Sequence, residues 1–299
     1  VATEECEELG MDSLVRDCDE VIGIIFDSKF DHKHSLEVFD TAILTLYSSL
    51  IDKYKTVNIL QDQRVTTEVN LIERSFIEQY VYLLFILDKH TKERGRAYLI
   101  NQRYESYRQT KRLLDNLSDE KQVRELKASI DGIIKADRTD RQTFADGLSY
   151  FSGKFENLFK PALLRNEQKR RKGLSVPPDK KIKRIWYNVA ADGTNNFRDL
   201  CRKLGLDDLY FGFYGPLSMN VHGVDSPANL VFDNITDPGR NVAEVVLQAG
   251  HDEQGTVSLL RAFLIEITLK VCHHYAISRN KIPNQMYLKQ KIRILSHQN

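Results

Sequence analysis

The chain is predicted to be all-α, a multi-helix bundle around one central buried helix at about 66–88. Three observations predict it. Apolar residues occupy every position from Tyr80 to Leu87, which at helical spacing puts apolar side chains on all sides. Two further stretches repeat apolar residues at helical spacing: Val38, Phe39, Ala42, Ile43, Leu46 and Leu50 near the start, and Leu259, Leu260, Phe263, Leu264, Ile267, Val271 and Tyr275 near the end. Strand signals are confined to Asn229–Phe232 and Val242–Leu247, either side of the turn signal Asp237-Pro238-Gly239. The one departure expected is therefore a minor β-hairpin or irregular insertion near 229–247.

Taken in order, the first helical region spans Glu4 to Lys55 and contains Val21, Ile24 and Ile25 on one stripe before the Val38–Leu50 repeat. The polar segment between them holds Asp31, His32 and His34. Two histidines only two apart in a turn point in different directions, so no metal site is expected. The central helix begins as early as Thr66 and carries Arg74 and Glu78, which four-residue spacing places on one face leading into the apolar half. Either the two form a structural ion pair that fixes register, or they wall a polar pocket. Beyond it, Gly95 interrupts a strongly helical run, marking a bend or the close packing of two helices. Ala97, Tyr98, Ile100, Tyr104, Tyr107 and Leu113 supply a face there, with Arg94, Arg96, Arg103, Arg108, Lys111 and Arg112 around it. Tyrosine interleaved with arginine suits RNA, and equally a helix with tyrosine toward the core and arginine in solvent.

Residues 119–165 read as two helices separated near Thr139, the first starting at Ser118. Arg165 to Arg184 is a charge run, nine basic residues against Glu167 and Asp179, a local net charge of +7. With Gly173, Ser175, Pro177 and Pro178 it reads as a surface loop, able to clamp a phosphate backbone or merely to solvate a surface. Thr194 or Asn196 caps a helix through Leu200 that closes at Gly205. Another helix runs to Tyr214, and Pro216 starts a short one ended by His222-Gly223. Asp225, two residues on, is placed to orient the His222 ring. The last long helix runs from about Gln254 to Ala276, with His273 and His274 at its C-terminal end, where the helix dipole favours positive charge. The expected organisation is an N-terminal helical half (1–164), a basic loop (165–184) and a C-terminal half (185–299) packed with the first as one domain.

Several function classes are excluded. In 299 residues with 28% charged and 41% apolar, the net charge is +1, so any nucleic-acid footprint is local. The apolar run covers about two turns, far short of the roughly 20 residues that cross a bilayer, and the opening VATEECEELG has no signal-peptide pattern; no membrane association is expected. Cys6, Cys18, Cys201 and Cys272 are scattered without CxxC spacing, as free thiols in a reducing, cytoplasmic compartment are. Gly-rich phosphate loops, GxSxG elbows, HExxH pairs and EF-hand loops are all missing, so neither a metal nor a cofactor is expected.

The blocks ERSFIEQYVYLLFILDK…RAYL and IWYNVAADGTNNFRDLCRKLG…YGPLSMNVHG resemble the DUF5677 family, mostly bacterial and predominantly helical proteins of unknown function. The resemblance covers roughly residues 30–250. It rests on the order of Arg74, Glu78, Ala97, Tyr98, Trp186, Arg198, Leu200, Tyr214, Ser218, His222 and Gly223. More remotely the chain is similar to the HEPN superfamily, helical bundles whose active members are metal-independent ribonucleases serving as toxins or antiviral effectors. Their signature is an Arg, a polar residue, four further positions and a His; here Pro216 stands six before His222. The similarity thus implies RNA cleavage through a spatial substitute. Arg74 would stabilise the phosphate, Glu78 would orient Arg74, and His222 would move the proton. Tyr214, Ser218, Arg198, Asp225, Lys169, Arg170 and Arg171 would then hold the strand. The alternative is a non-catalytic module that binds RNA, a nucleotide or a partner protein, with Arg74, Glu78 and His222 as a structural polar network. An exposed apolar bundle face would make the chain a homodimer.

Overall fold

The computed structural model describes residues 13–30, 35–63, 69–136, 143–176, 178, 182–221, 230–232, 245–247 and 253–283. Helices dominate: α1 Ser13–Lys29, α2 Val38–Asp62, α3 Val69–Asp88, α4 Thr91–Asn116, α5 Glu120–Ala136 and α6 Phe144–Arg171. They continue with α7 Phe197–Lys203, α8 Asp207–Leu209, α9 Gly215–Val221 and α10 Glu253–His274, plus a 3-10 turn at Trp186–Asn188. The fold is all-α, as the periodicity predicts. Among the described residues one antiparallel ladder interrupts it, β1 Leu230–Phe232 on β2 Val245–Leu247, with Val231 opposite Val246. Among the described residues no helix is long and apolar enough to cross a membrane.

The described residues divide into two compact units. The first draws on residues up to Glu37, on Ile43–Lys89 and on those from Leu204 onward; the second on Val38–Ala42 and His90–Lys203.

In the first unit α3 is the central helix. Phe76, Ile77, Tyr80, Val81, Leu83, Phe85 and Ile86 are all buried, with the carboxylate residue Glu73 among them. Around it the stripes expected from sequence supply Val21 and Ile25 of α1, Ile43, Leu46 and Leu50 of α2, and Leu260, Phe263, Leu264, Ile267 and Val271 of α10. Tyr80 stacks on Phe263 at 4.6 Å between ring centroids, a geometry that adds to plain area burial. Val38, expected on the apolar stripe, is instead exposed, because it is the first residue of its helix.

The second unit is held by α4 against α6. Tyr104 stacks on Phe155 at 5.0 Å and Tyr107 on Phe144 at 5.4 Å, while Tyr98 meets Trp186 edge-on at 5.1 Å. Tyr98 is therefore a core residue, and Tyr104 and Tyr107 are half-buried against the rings of α6. Two details differ from the sequence reading: Arg94 is buried, and Leu114 rather than Leu113 faces inward. The α4 helix runs through Gly95 without interruption. A Cβ there would lie 2.8 Å from Phe39 Cβ, so the glycine permits close packing.

Helix ends follow local chemistry. Thr143 caps α6 by accepting from Asp146 N and donating to Asp146 Oδ2. The cap of α5 is Asp119, not Ser118, its Oδ1 accepting from Lys121 N at 2.8 Å; a carboxylate there also meets the positive end of the dipole. Residues 165–171, expected as the start of the basic loop, are the last two turns of α6. Arg, Glu, Gln and Lys are good helix formers, and Glu167 pairs with Arg171. The stop is Gly173, at φ 74°. Its N–H bonds Arg170 O and that of Leu174 bonds Lys169 O, which together form a Schellman cap. By contrast Gly153, also in α6, has nothing within 4 Å of a built Cβ. Gly153→Ala is expected to raise stability by about 0.5–1 kcal/mol through helix propensity alone, read as a higher urea midpoint at unchanged slope.

Candidate functional site

Arg74 and Glu78 do share one face of α3, and they meet a third residue from far along the chain. Tyr214 Oη donates to Glu78 Oε1 at 2.6 Å and accepts from Arg74 Nη2 at 3.3 Å. The direct Arg74–Glu78 separation is 3.5 Å, with the two side chains 23% and 29% exposed. A pair this open is worth about 0–1 kcal/mol by itself; the phenol makes it a closed triangle. Burial and the adjacent Glu78 push the Tyr214 phenol up to about 12, against the pull of Arg74, so it stays a neutral donor. The buried Arg74 Nε has no hydrogen-bond partner among the described residues.

Tyr214 reaches this point through an unusual turn. Between α8 and α9, residues Tyr210–Tyr214 form one wide turn, closed by Gly215 N–H bonding Tyr210 O five residues back. The sequence reading starts a new helix at Pro216; instead helical backbone runs through. Pro216 has no N–H for the carbonyl of residue 212, and its ring crowds that carbonyl in a regular helix. The wide turn sits just ahead of it, as such bulges do at a broken α ladder.

The same turn exposes aromatic surface. Arg74 Cζ lies 5.4 Å from the Tyr214 ring centroid, Tyr214 lies 5.5 Å from Tyr210, and Tyr210 meets Phe211 edge-on at 5.4 Å. Phe211 is 55% and Phe213 39% exposed. Leu71, on the Arg74 and Glu78 face of α3, is exposed as well. The sequence reading passed over this surface, although YFGFY carries more rings than one inward helix face can bury.

Ser218 lies one turn beyond Tyr214 on α9 and is half-buried, so Arg74, Glu78, Tyr214 and Ser218 belong to one unit. Arg198 on α7 and Lys169, Arg170 and Arg171 on α6 belong to the other and are exposed. Three of those cations sit in the last turn of a 28-residue helix, where the dipole favours them. His222 and Asp225 lie outside the described residues.

A second feature of the first unit is an open cleft of about 600 Å³ where α3 and α10 end. Leu84 and Leu87 form one side of it and Leu204 and Leu206 another. Its polar groups are Asp88 from α3 and Glu266, Lys270, His273 and His274 from α10. Thus the apolar surface all round α3 is not wholly core: part of it lines this cleft. No group of three or more His, Cys, Asp or Glu among the described residues is placed to hold a metal ion.

A family model described as "Family of unknown function (DUF5677)" matches residues 40–237. The chain belongs to the DUF5677 family. No curated protein and no solved structure matches it. The DUF5677 match takes in the whole aromatic turn together with Arg74 and Glu78, and it ends before α10. The IWYN…NNFRDL block of DUF5677 is largely structural here. Asn188, fully buried, donates to Lys183 O and to Asn195 Oδ1, both at 3.1 Å, and Asn196 Oδ1 caps α7 by accepting from Asp199 N at 2.8 Å.

Proposed function

We propose that this DUF5677 protein is a non-catalytic RNA-binding module that takes a single strand on the aromatic turn, with Arg74 at the inner end of the stack. One observation carries the reading: the run from the Arg74 guanidinium through Tyr214 and Tyr210 to the exposed ring of Phe211, in a turn that also leaves Phe213 partly exposed. Burying a phenylalanine is worth about 1.5–3 kcal/mol, and a five-residue turn that leaves two partly exposed forgoes part of that in the isolated chain. Bases stack on aromatic rings and on guanidinium planes whatever their sequence. A single strand offers such faces, whereas a duplex keeps them stacked within itself.

Cleavage by Arg74 and His222 is the competing use of the same surface, and with it go the HEPN-like relationship and a toxin or antiviral role. Two features favour binding. Arg74 Nη2 is engaged by Tyr214 and Glu78. The Tyr214 phenol is no base near neutral pH. A cytoplasmic location, where RNA is met and the buried thiols Cys18, Cys201 and Cys272 stay reduced, is part of the same proposal.

The test is a mixture of purified protein with a short unstructured RNA, followed by anisotropy and by gel at one fixed salt concentration. The RNA is expected to be bound and to remain intact, and the matching duplex to bind more weakly. Strand scission by the wild type that is lost in both Arg74→Ala and His222→Ala would restore the nuclease reading. Failure to bind any RNA, with stable capture of a second protein instead, would make the turn a protein-docking surface.

A further inference from the structure

Away from the aromatic turn, we propose that the cleft between the ends of α3 and α10 binds a small organic cation, an amine carried on an aliphatic body. Its volume of about 600 Å³ lies within the range of small-molecule sites, which pair apolar walls with a few convergent polar groups. The walls are the four leucines, suited to a saturated chain. The sign of the ligand's charge follows from the backbone. Residues of the last turns of both α3 and α10 line this cleft, so the negative ends of two helix dipoles lie beside it.

Two carboxylates reinforce that potential, and one is fixed in place. Glu266 Oε2 accepts from Tyr80 Oη at 3.0 Å, and Tyr80 is only 1% exposed and stacked on Phe263. A carboxylate oriented from the core side meets a donor without reorganising. Asp88, with the exposed Lys89 Nζ 3.9 Å from its Oδ2, supplies the second carboxylate. Lys270 Nζ stands 3.9 Å from the other oxygen of Glu266 and marks where a cation rests, as a resident competitor for the ligand. An anion on Lys270, His273 and His274 would face two carboxylates and two helix C-termini.

The experiment is a calorimetric titration of the full chain with hexylammonium and, separately, hexanoate, with leucine methyl resonances as the second readout. Hexylammonium is expected to bind saturably and to shift the methyls of Leu84 and Leu87, and hexanoate to leave them unmoved. Glu266→Gln keeps an acceptor for Tyr80 while removing the charge, and should weaken the amine at least about tenfold. Asp88→Asn should weaken it too, whereas Lys270→Ala should tighten it by about three- to tenfold, because the internal competitor is gone. Saturable hexanoate binding abolished by Lys270→Ala would overturn the assignment, as would amine binding indifferent to Glu266→Gln, or no saturable amine binding at all. RNA affinity is not a readout here, so failure leaves the aromatic turn untouched.

Discussion

Replacing Thr268 by valine is expected to lower the unfolding free energy by about 2 kcal/mol, although the two side chains have the same shape. Thr268 is fully buried on α10, where its hydroxyl donates to Leu264 O at 2.6 Å and accepts from Tyr47 Oη at 3.0 Å. Cys18 Sγ of α1 lies 3.5 Å from the same oxygen. One hydroxyl thus joins three helices of the first unit. Valine strands the Tyr47 hydroxyl at a site with no exposure, and an unmet buried donor costs about 1–3 kcal/mol. The thiol offers no substitute acceptor of comparable strength; burial pushes Cys18 up to about 11 and keeps it neutral. Tyr47→Phe in the Thr268→Val background should recover most of the loss, since removing both partners leaves nothing unmet. Urea unfolding of the two single variants and the double variant measures this cycle. A double variant no more stable than Thr268→Val alone would show the hydrogen bond to be irrelevant.

Gly95→Ala is expected to destabilise by about 1–2 kcal/mol, where helix propensity alone predicts a gain of about 1 kcal/mol. The clash decides the sign. A Cβ on Gly95 would stand 2.8 Å from Phe39 Cβ and 3.0 Å from Phe39 Cα. Neither is the movable end of a flexible side chain, so the helices must part. Gly153→Ala, with open space around it, has only the propensity effect and should move the other way. Both variants changing stability in the same direction would contradict the packing argument, and thermal unfolding reads them directly.

These cases show what was legible in the amino-acid sequence. α3 and α10 are readable because apolar periodicity is a local property, and the Arg74–Glu78 pair follows from four-residue spacing on one helix. The ladder of β1 and β2 falls where the strand signals of the sequence lie. What was not legible lies in contacts between distant positions. Tyr47 and Thr268 are 221 residues apart and Arg74 and Tyr214 are 140; nothing in either neighbourhood names the other. The wide turn required knowing that α8 and α9 are continuous, so that Pro216 breaks a ladder rather than starting one. The basic run misled for a simpler reason, because high charge resembles a loop until the Schellman cap at Gly173 shows where the helix stops. The cleft lines up residues from α3, the Leu204–Leu206 turn and α10 that no motif unites.

Phe211 and Phe213 are proposed to stack on RNA, and the decisive measurement is the affinity of their double alanine variant for an unstructured single strand. Each ring that stacks on a base contributes about 1–3 kcal/mol, so Phe211→Ala with Phe213→Ala should weaken binding by about a hundredfold or more. Phe211 is 55% and Phe213 39% exposed, so the double variant should lose less stability than a buried Phe→Ala change and remain folded. RNA affinity unchanged in a folded double variant would contradict the account.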